Sequence, residues 1–255
     1  KDSPLIVGKS ENGSFIASDV PAILKYTRTV YYVDNQEVVE LQRDGLRFFS
    51  VDEEELEKQP VTIDWDANAA EKAGYEHFML KEIYEQPKTI NDTISPRIKD
   101  NDIVIEELNM SDEEIKEITK IHIVACGSAY HTGVTAKYVI EGLARIPVEV
   151  DVASEFRYRD PILQKGNMVI VISQSGETAD TLAALRESKE KGFKVLGIVN
   201  VVGSSIAREA DSVMYTWAGP EIAVATTKAY SAQLTALYML AMKFAKVRGT
   251  VDQEK

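Results

Sequence analysis

From Ile121 onward the chain alternates short apolar runs with stretches of helical spacing. The apolar runs are Ile121–Ala125, Val148–Ala153, Met168–Ile172, Lys194–Val199 and Val213–Trp217. Met168–Ile172 is a short β-branched run, the pattern of a strand buried on both faces of a parallel sheet. Between and after them, residues 128–145, 177–191 and about 226–248 read as helices, with Leu182 and Leu185 on one face of the second. Shorter helical turns follow Ser154 and Ser204. Strict alternation of this kind predicts a three-layer αβα domain on a five-stranded parallel sheet. In such sheets ligands sit beyond the carboxyl ends of the strands, where the strand order reverses.

The pattern upstream differs. Residues 1–53 read as short strands (Leu5–Val7, Ser14–Ala17, Thr29–Val33, Val38–Gln42 and Arg47–Val51) separated by Gly, Asn and Asp turns. Thr29–Val33 and Glu37–Leu41 flank Asp34-Asn35-Gln36 and predict a hairpin. This β-rich segment is too short to bury a core on both faces of a sheet, and reads as the end of a domain that begins earlier. Residues 54–75 are acidic, then polar and alanine-rich, and read as a linker. Tyr75–Ile94 reads as a helix with Phe78, Ile83 and Ile90 toward the core and Pro87 splitting it. Residues 95–110 look irregular. Ser111-Asp-Glu-Glu114 matches a capping box and opens a short helix.

Composition narrows the function class. A formal net charge of -12 over 255 residues argues against nucleic acid or an anionic membrane as partner. It leaves room for a small anion, because a pocket's local field can oppose the global charge. Cys126 is the single cysteine, which excludes an intrachain disulfide and fits a reducing, cytoplasmic setting. The apolar run Ala236–Met242 is far short of the ~20 residues a membrane span needs. The chain opens on Lys1, as a piece of a longer protein would.

The candidate chemistry lies in three Gly/Ser/Thr loops. Ser173-Gln174-Ser175-Gly176-Glu177-Thr178 interrupts a buried strand and opens a helix. That arrangement points free backbone N–H groups and the positive end of the helix dipole out of the strand's end, which suits an anion. The loop holds no lysine, which favours a phosphomonoester over a triphosphate with its metal. Ala125-Cys126-Gly127-Ser128-Ala129 and Gly219–Lys228 open the other two long helices. Ordinary helix capping is the competing reading of each loop taken alone. Two such loops on one sheet edge could hold the two ends of a sugar phosphate. The Gly-x-Gly-x-x-Gly fingerprint and the Gly-x-x-x-x-Gly-Lys loop are absent, so no nucleotide cofactor is expected. His77, His122 and His131 lack metal-ligand spacing, so no metal is expected either. His122 reads as a tethered strand histidine, and His131 as a residue that could line the first loop. Cys126 reads as a small residue filling a tight turn. Glu155–Arg159 holds two arginines that could reach an anion, a neighbouring subunit or only solvent.

Ala125-Cys-Gly-Ser, Ala153–Arg159, Ser173–Thr181 and Gly219–Lys228 together resemble the sugar isomerase (SIS) domain. More narrowly they are similar to the first SIS domain of the glutamine–fructose-6-phosphate aminotransferase (glucosamine-6-phosphate synthase) family. His77–Pro87 resembles the segment leading into that family's SIS half, and Ser3-Pro-Leu with Phe15–Asp19 resembles the end of its glutaminase domain. The resemblance implies 1–53 as the end of a glutaminase domain, 54–75 as linker, 76–249 as the first SIS domain with its leading helices, and 250–255 as the start of a connection to a second one. It implies a substrate phosphate on Ser173, Gln174, Ser175 and Thr178. It implies the sugar near Cys126, Gly127, Ser128, Val224, Ala225 and Thr226. The family carries Thr-Ser after Cys-Gly; this chain has Ser128-Ala129, so a hydroxyl facing the sugar is missing at 129.

The family transfers ammonia from glutamine to fructose 6-phosphate and forms glucosamine 6-phosphate. By the same resemblance its catalytic cysteine, Schiff-base lysine and proton-shuttling glutamate belong to other parts of the enzyme. This stretch is then expected to bind fructose 6-phosphate or glucosamine 6-phosphate, to turn nothing over alone, and to pair as a homodimer through SIS domains. Two other readings compete. A non-catalytic sugar-phosphate sensor would carry a DNA-binding helix-turn-helix, which residues 1–53 do not supply. A stand-alone phosphosugar isomerase would need a base, for which only Glu221 or His131 is on offer.

Overall fold

The computed structural model describes residues 5–11, 13–20, 22–43, 45–63 and 71–251. The chain divides into two compact units, residues 1–81 with 219–224, and residues 82–218 with 225–255. Ser3 and Pro4, part of the linker segment, and the last four residues fall outside the described residues.

The first unit is built from β1 (Ile6–Ser10), β2 (Gly13–Ala17), β3 (Thr29–Tyr32), β4 (Glu37–Leu41), β5 (Leu46–Ser50), β6 (Glu55–Leu56) and β7 (Val61–Thr62). One antiparallel sheet has the order β2-β1-β3-β7 and a second the order β4-β5-β6. The hairpin expected between Thr29–Val33 and Glu37–Leu41 does not form. The chain turns at Asp34–Glu37, but β3 pairs with β1 while β4 pairs with β5. Lys58 bridges Asp34 and Glu37 at that turn, in the segment carrying β6 and β7. Residues 55–56 and 61–62, inside the span read as a linker, therefore pair with β5 and β3. Ile6, Val7, Ile23, Leu24, Val30, Phe48 and Ile63 form the buried side.

α1 (Phe78–Ile94) runs unbroken through Pro87, against the expected split. Proline removes the N–H that would reach the Ile83 carbonyl. The Gln86 side-chain amide donates to that carbonyl instead, at 3.1 Å, and offsets the loss. Two 3-10 turns (Ser95–Arg97 and Glu106–Leu108) and the pair β8 (Ile98–Lys99) and β9 (Asp102–Ile103) order the stretch read as irregular. α2 (Asp112–Glu117) begins with the capping box its sequence announces.

The alternating region forms β10 (Lys120–Ala125), α3 (Gly127–Leu143), β11 (Val148–Val152), α4 (Ala153–Phe156), β12 (Asn167–Ser173), α5 (Ala179–Glu190), β13 (Lys194–Val199), α6 (Ser205–Glu209), β14 (Ser212–Tyr215) and α7 (Lys228–Arg248). The sheet is wholly parallel with the order β11-β10-β12-β13-β14. One face packs Ile121, Ile123, Ile170, Ile172, Leu196 and Ile198 against α3 and α7; the other packs Val124, Val169, Val171, Val195 and Val199 against α4, α5 and α6. Alternate strand residues thus serve two cores, which is why the strands read as continuous apolar runs. A β-branched side chain buried this fully contributes about 1.5–3 kcal/mol. Gly133 allows α3 to lie close to the sheet, since a Cβ there would sit 2.8 Å from Ile123 Cγ2. α1 is fastened to α7 by Glu85, which pairs at 2.7 Å with the buried Lys228, and by Gln86 with Ser231. Buried Arg97 ties the end of α1 to β14 by donating to the carbonyls of Thr93 and Tyr215, and pairs with Glu107.

Candidate functional site

The chain leaves β10 on one side for β11 and returns to lay β12 on the other. The strand order therefore reverses between β10 and β12, the position at which parallel sheets open a ligand crevice. Ala125 lies opposite Ile172 in the register, so the first and second loops begin side by side. Thr181, fully buried in the first turn of α5, donates to Cys126 Sγ at 3.8 Å and ties the two loops together.

The second loop is held from within and from behind. Ser173 Oγ accepts the Gly176 N–H at 3.0 Å and lies 2.9 Å from Thr178 Oγ1. Ser175 Oγ accepts the Glu177 N–H at 3.2 Å. Behind it, the Gly176 carbonyl accepts from Ile206 N and the Glu177 carboxylate accepts from Ser205 N, so the N-terminus of α6 is filled by the loop itself. Gly176 has φ +68, and a Cβ on it would sit 2.0 Å from Ser204 Oγ, so only glycine fits.

Thr178 is the N-cap residue of α5 and makes no side-chain cap bond, because its hydroxyl faces Ser173. The first bond into the helix is Leu182 N to the Thr178 carbonyl. Among the described residues, the N–H groups of Ser175, Ala179, Asp180 and Thr181 meet no acceptor. Cys126, the N-cap of α3, likewise makes no cap bond. Two helix ends with their partial positive charge thus stand open on either side of the switch point. The one acid in the first turn of α5, Asp180, is paired with Arg157 at 2.8 Å, which sets a guanidinium against that carboxylate.

The expected site residues divide accordingly. Ser173 is 2% exposed and braces the loop, while Gln174, Ser175 and Thr178 are half-buried. Cys126 is half-buried, and Gly127 and Ser128 are exposed at the start of α3. Val224 is fully exposed and groups with the first unit; Ala225 and Thr226 group with the second. Of the candidate bases, His131 is exposed on α3 and Glu221 falls in the first unit. Sequence reasoning missed Arg157 as the partner of Asp180, and Glu177 as the group closing α6.

It also missed a second cluster. His122 is buried beside Glu149 and Asp151, with ligand atoms within 4.8 Å of one another. Parallel pairing of β10 with β11 creates this proximity, and spacing along the chain does not reveal it. Both carboxylates are already bound, by Arg159 to Glu149 and Asp151 and by Lys120 to Glu149. Burial, followed by Lys120, holds the His122 imidazole below its ordinary pKa, and Nε2 is tethered to Asn167 at 3.3 Å. In the first unit, a cleft of about 550 Å³ is lined by Lys9, Tyr31, Arg47, Phe48, Glu55 and Lys58, whose cations are engaged by neighbouring carboxylates or, for Lys9, a carbonyl.

No helix among the described residues is long and apolar enough to cross a membrane. Known proteins extend this picture. The glutamine–fructose-6-phosphate aminotransferase (isomerizing) of Clostridium acetobutylicum is 61% identical over 256 residues, covering 100% of this chain and 42% of that protein. Its counterpart from Caldanaerobacter subterraneus is 58% identical with the same coverage. The chain thus spans 42% of the length of these relatives. Among solved structures, the C-terminal domain of glucosamine-fructose-6-phosphate aminotransferase from Francisella tularensis is similar, with a TM-score of 0.68 and 44% identity over 72% of this chain and 51% of that one. The SIS domain family matches residues 114–243, about half the chain and the whole of the parallel sheet, and the chain belongs to that family.

Proposed function

We propose that this chain is the sugar-phosphate-binding part of an enzyme that makes glucosamine 6-phosphate from fructose 6-phosphate and glutamine. The observation that carries the reading is the open N-terminus of α5 at the switch point, framed by a serine- and threonine-rich loop. A phosphate seated there accepts from the N–H groups of Ser175, Ala179, Asp180 and Thr181 and from the hydroxyls of Ser175 and Thr178. Ser173 braces the loop and Gln174 adds its amide. The sugar extends toward Cys126, Gly127 and Ser128, where open N–H groups and a hydroxyl can meet neutral oxygens. Arg157 keeps Asp180 from repelling the anion. The similarity to the aminotransferases supports fructose 6-phosphate as the sugar phosphate.

We assign binding to this chain and the chemistry of transfer to the parts of the relatives it does not span. Charge-assisted bonds of about 1.5–3 kcal/mol each, less the costs of binding, give an affinity between about micromolar and millimolar. Calorimetry should register fructose 6-phosphate and inorganic phosphate competing for one site, and no heat with fructose. Silence with millimolar sugar phosphate overturns the reading. A coupled assay with glutamine and fructose 6-phosphate should read background. Pairing of two copies through this domain belongs to the same reading, and sedimentation at micromolar concentration tests it.

A further inference from the structure

Behind the phosphate loop lies a polar residue that no motif announces. Asn200 follows β13 and is 2% exposed. Its side-chain oxygen accepts two bonds from the segment after β14, from Ala218 N at 2.8 Å and from Thr216 Oγ1 at 3.2 Å. Its backbone N–H donates to the Gln174 carbonyl at 3.1 Å. Thr216 is held in turn, since its carbonyl accepts from Thr93 Oγ1 and its N–H donates to the Val199 carbonyl. Between Thr216 and Ala218 the backbone of Trp217 sits at φ +53, a left-handed conformation that a bulky residue keeps only where its surroundings fix it.

The bond to Gln174 has a stereochemical consequence. In a planar trans peptide the carbonyl and the following N–H point in opposite directions. With the Gln174 carbonyl turned back onto Asn200, the Ser175 N–H must face the other way, toward the open side of the loop. That N–H has no acceptor among the described residues. A flip of this one peptide would present a carbonyl oxygen where a phosphate oxygen should sit, exchanging attraction for repulsion.

We propose that Asn200 is a positioning residue for the phosphate site. Its side chain, anchored by Thr216 and Ala218, holds its own backbone N–H against Gln174 and so keeps the 174–175 peptide in the anion-accepting orientation. The proposal rests on the sugar-phosphate reading above and adds to it a residue that touches no ligand.

The test is calorimetry on the 255-residue chain with fructose 6-phosphate and, separately, inorganic phosphate. Asn200→Ala should weaken both by about tenfold, the loss of one charged hydrogen bond, and by the same factor, because the defect lies at the phosphate. Thr216→Val keeps shape and removes one anchoring bond, so it should weaken both about two- to threefold and serves if Asn200→Ala does not fold. Leu240→Ala, in the core on the opposite face, should lower Tm and leave both affinities unchanged, which separates positioning from loss of stability. Wild-type affinity in the folded Asn200→Ala chain, or in Thr216→Val where that chain does not fold, overturns the proposal and leaves the binding reading intact. A loss confined to fructose 6-phosphate also overturns it, by moving the effect to the sugar. A wild-type chain that binds neither ligand overturns the reading and the proposal together.

Discussion

The helices α2 and α5 both begin after a hydroxyl residue, and the chain treats the two ends in opposite ways. At α2, Ser111 Oγ accepts the Glu114 N–H and the Glu114 carboxylate accepts the Ser111 N–H, closing the end from both sides. Three acids, Asp112, Glu113 and Glu114, fill its first turn. At α5, Thr178 directs its hydroxyl to Ser173, the first turn has one acid, and that acid is neutralised by Arg157. A cap is worth about 1 kcal/mol, and α5 forgoes it. Even α6, a single short turn, has its leading N–H taken by Glu177. In the proposed reading, the end of α5 stays open because the substrate phosphate takes the place of the cap.

The open end of α5 is most vulnerable at Gly176. Gly176→Ala sets a Cβ 2.0 Å from Ser204 Oγ at φ +68. We expect a loss of about 2–4 kcal/mol in chemical denaturation and of all measurable sugar-phosphate binding. Next in size, Ser173→Ala with Ser175→Ala removes the braces that accept from Gly176 and Glu177, and should weaken phosphate binding by at least about tenfold. Ala129→Ser should change it little, since a neutral hydrogen bond is worth about 0.5–1.5 kcal/mol. At the closed end, Ser111→Ala should cost about 1 kcal/mol of stability with no change in affinity. An equal effect on binding from Ser111→Ala would erase the distinction between the two helices.

The smallest effect concerns His122 and acid. Burial lowers its pKa in the folded chain below the ordinary 6.5, against the opposing pull of Glu149 and Asp151. The unfolded chain therefore takes up a proton first as pH falls, and stability is lost from about pH 6.5 downward, through the folded pKa. Glu149, lowered chiefly by its bond to Lys120, contributes stability above its ordinary 4.5 that is lost only at more acidic pH. His122→Gln should flatten the dependence of Tm on pH between about 7 and 5.5. An unchanged slope would show that another group titrates there.

The parallel sheet was legible because its inner strands are buried on both faces, so Ile121–Ala125 and Met168–Ile172 announce themselves without tertiary knowledge. The capping box of α2 was legible because it is local. What stayed hidden depends on partners distant in sequence or on a single compensating side chain. Pro87 sits inside a helix because Gln86 replaces the lost donor. β3 and β4 belong to different sheets because their partners, β1 and β5, lie on either side of the turn in sequence. Arg157 finds Asp180 across 23 positions, and Asn200 finds Ala218 across 18. The candidate loop itself was readable as Ser-Gln-Ser-Gly, but which of its hydroxyls brace it from within was not. Ser173 proved to be a buried brace.

In the proposed reading an anion docks on the open end of α5. Titrating the amide-labelled chain with fructose 6-phosphate and following the backbone amides by nuclear magnetic resonance tests it most directly. The largest, saturable shifts should fall at Ser175, Ala179, Asp180 and Thr181, with Asp112, Glu113 and Glu114 unmoved. Largest shifts at Gly127, Ser128 and Ala129, or none anywhere at millimolar ligand, would contradict it.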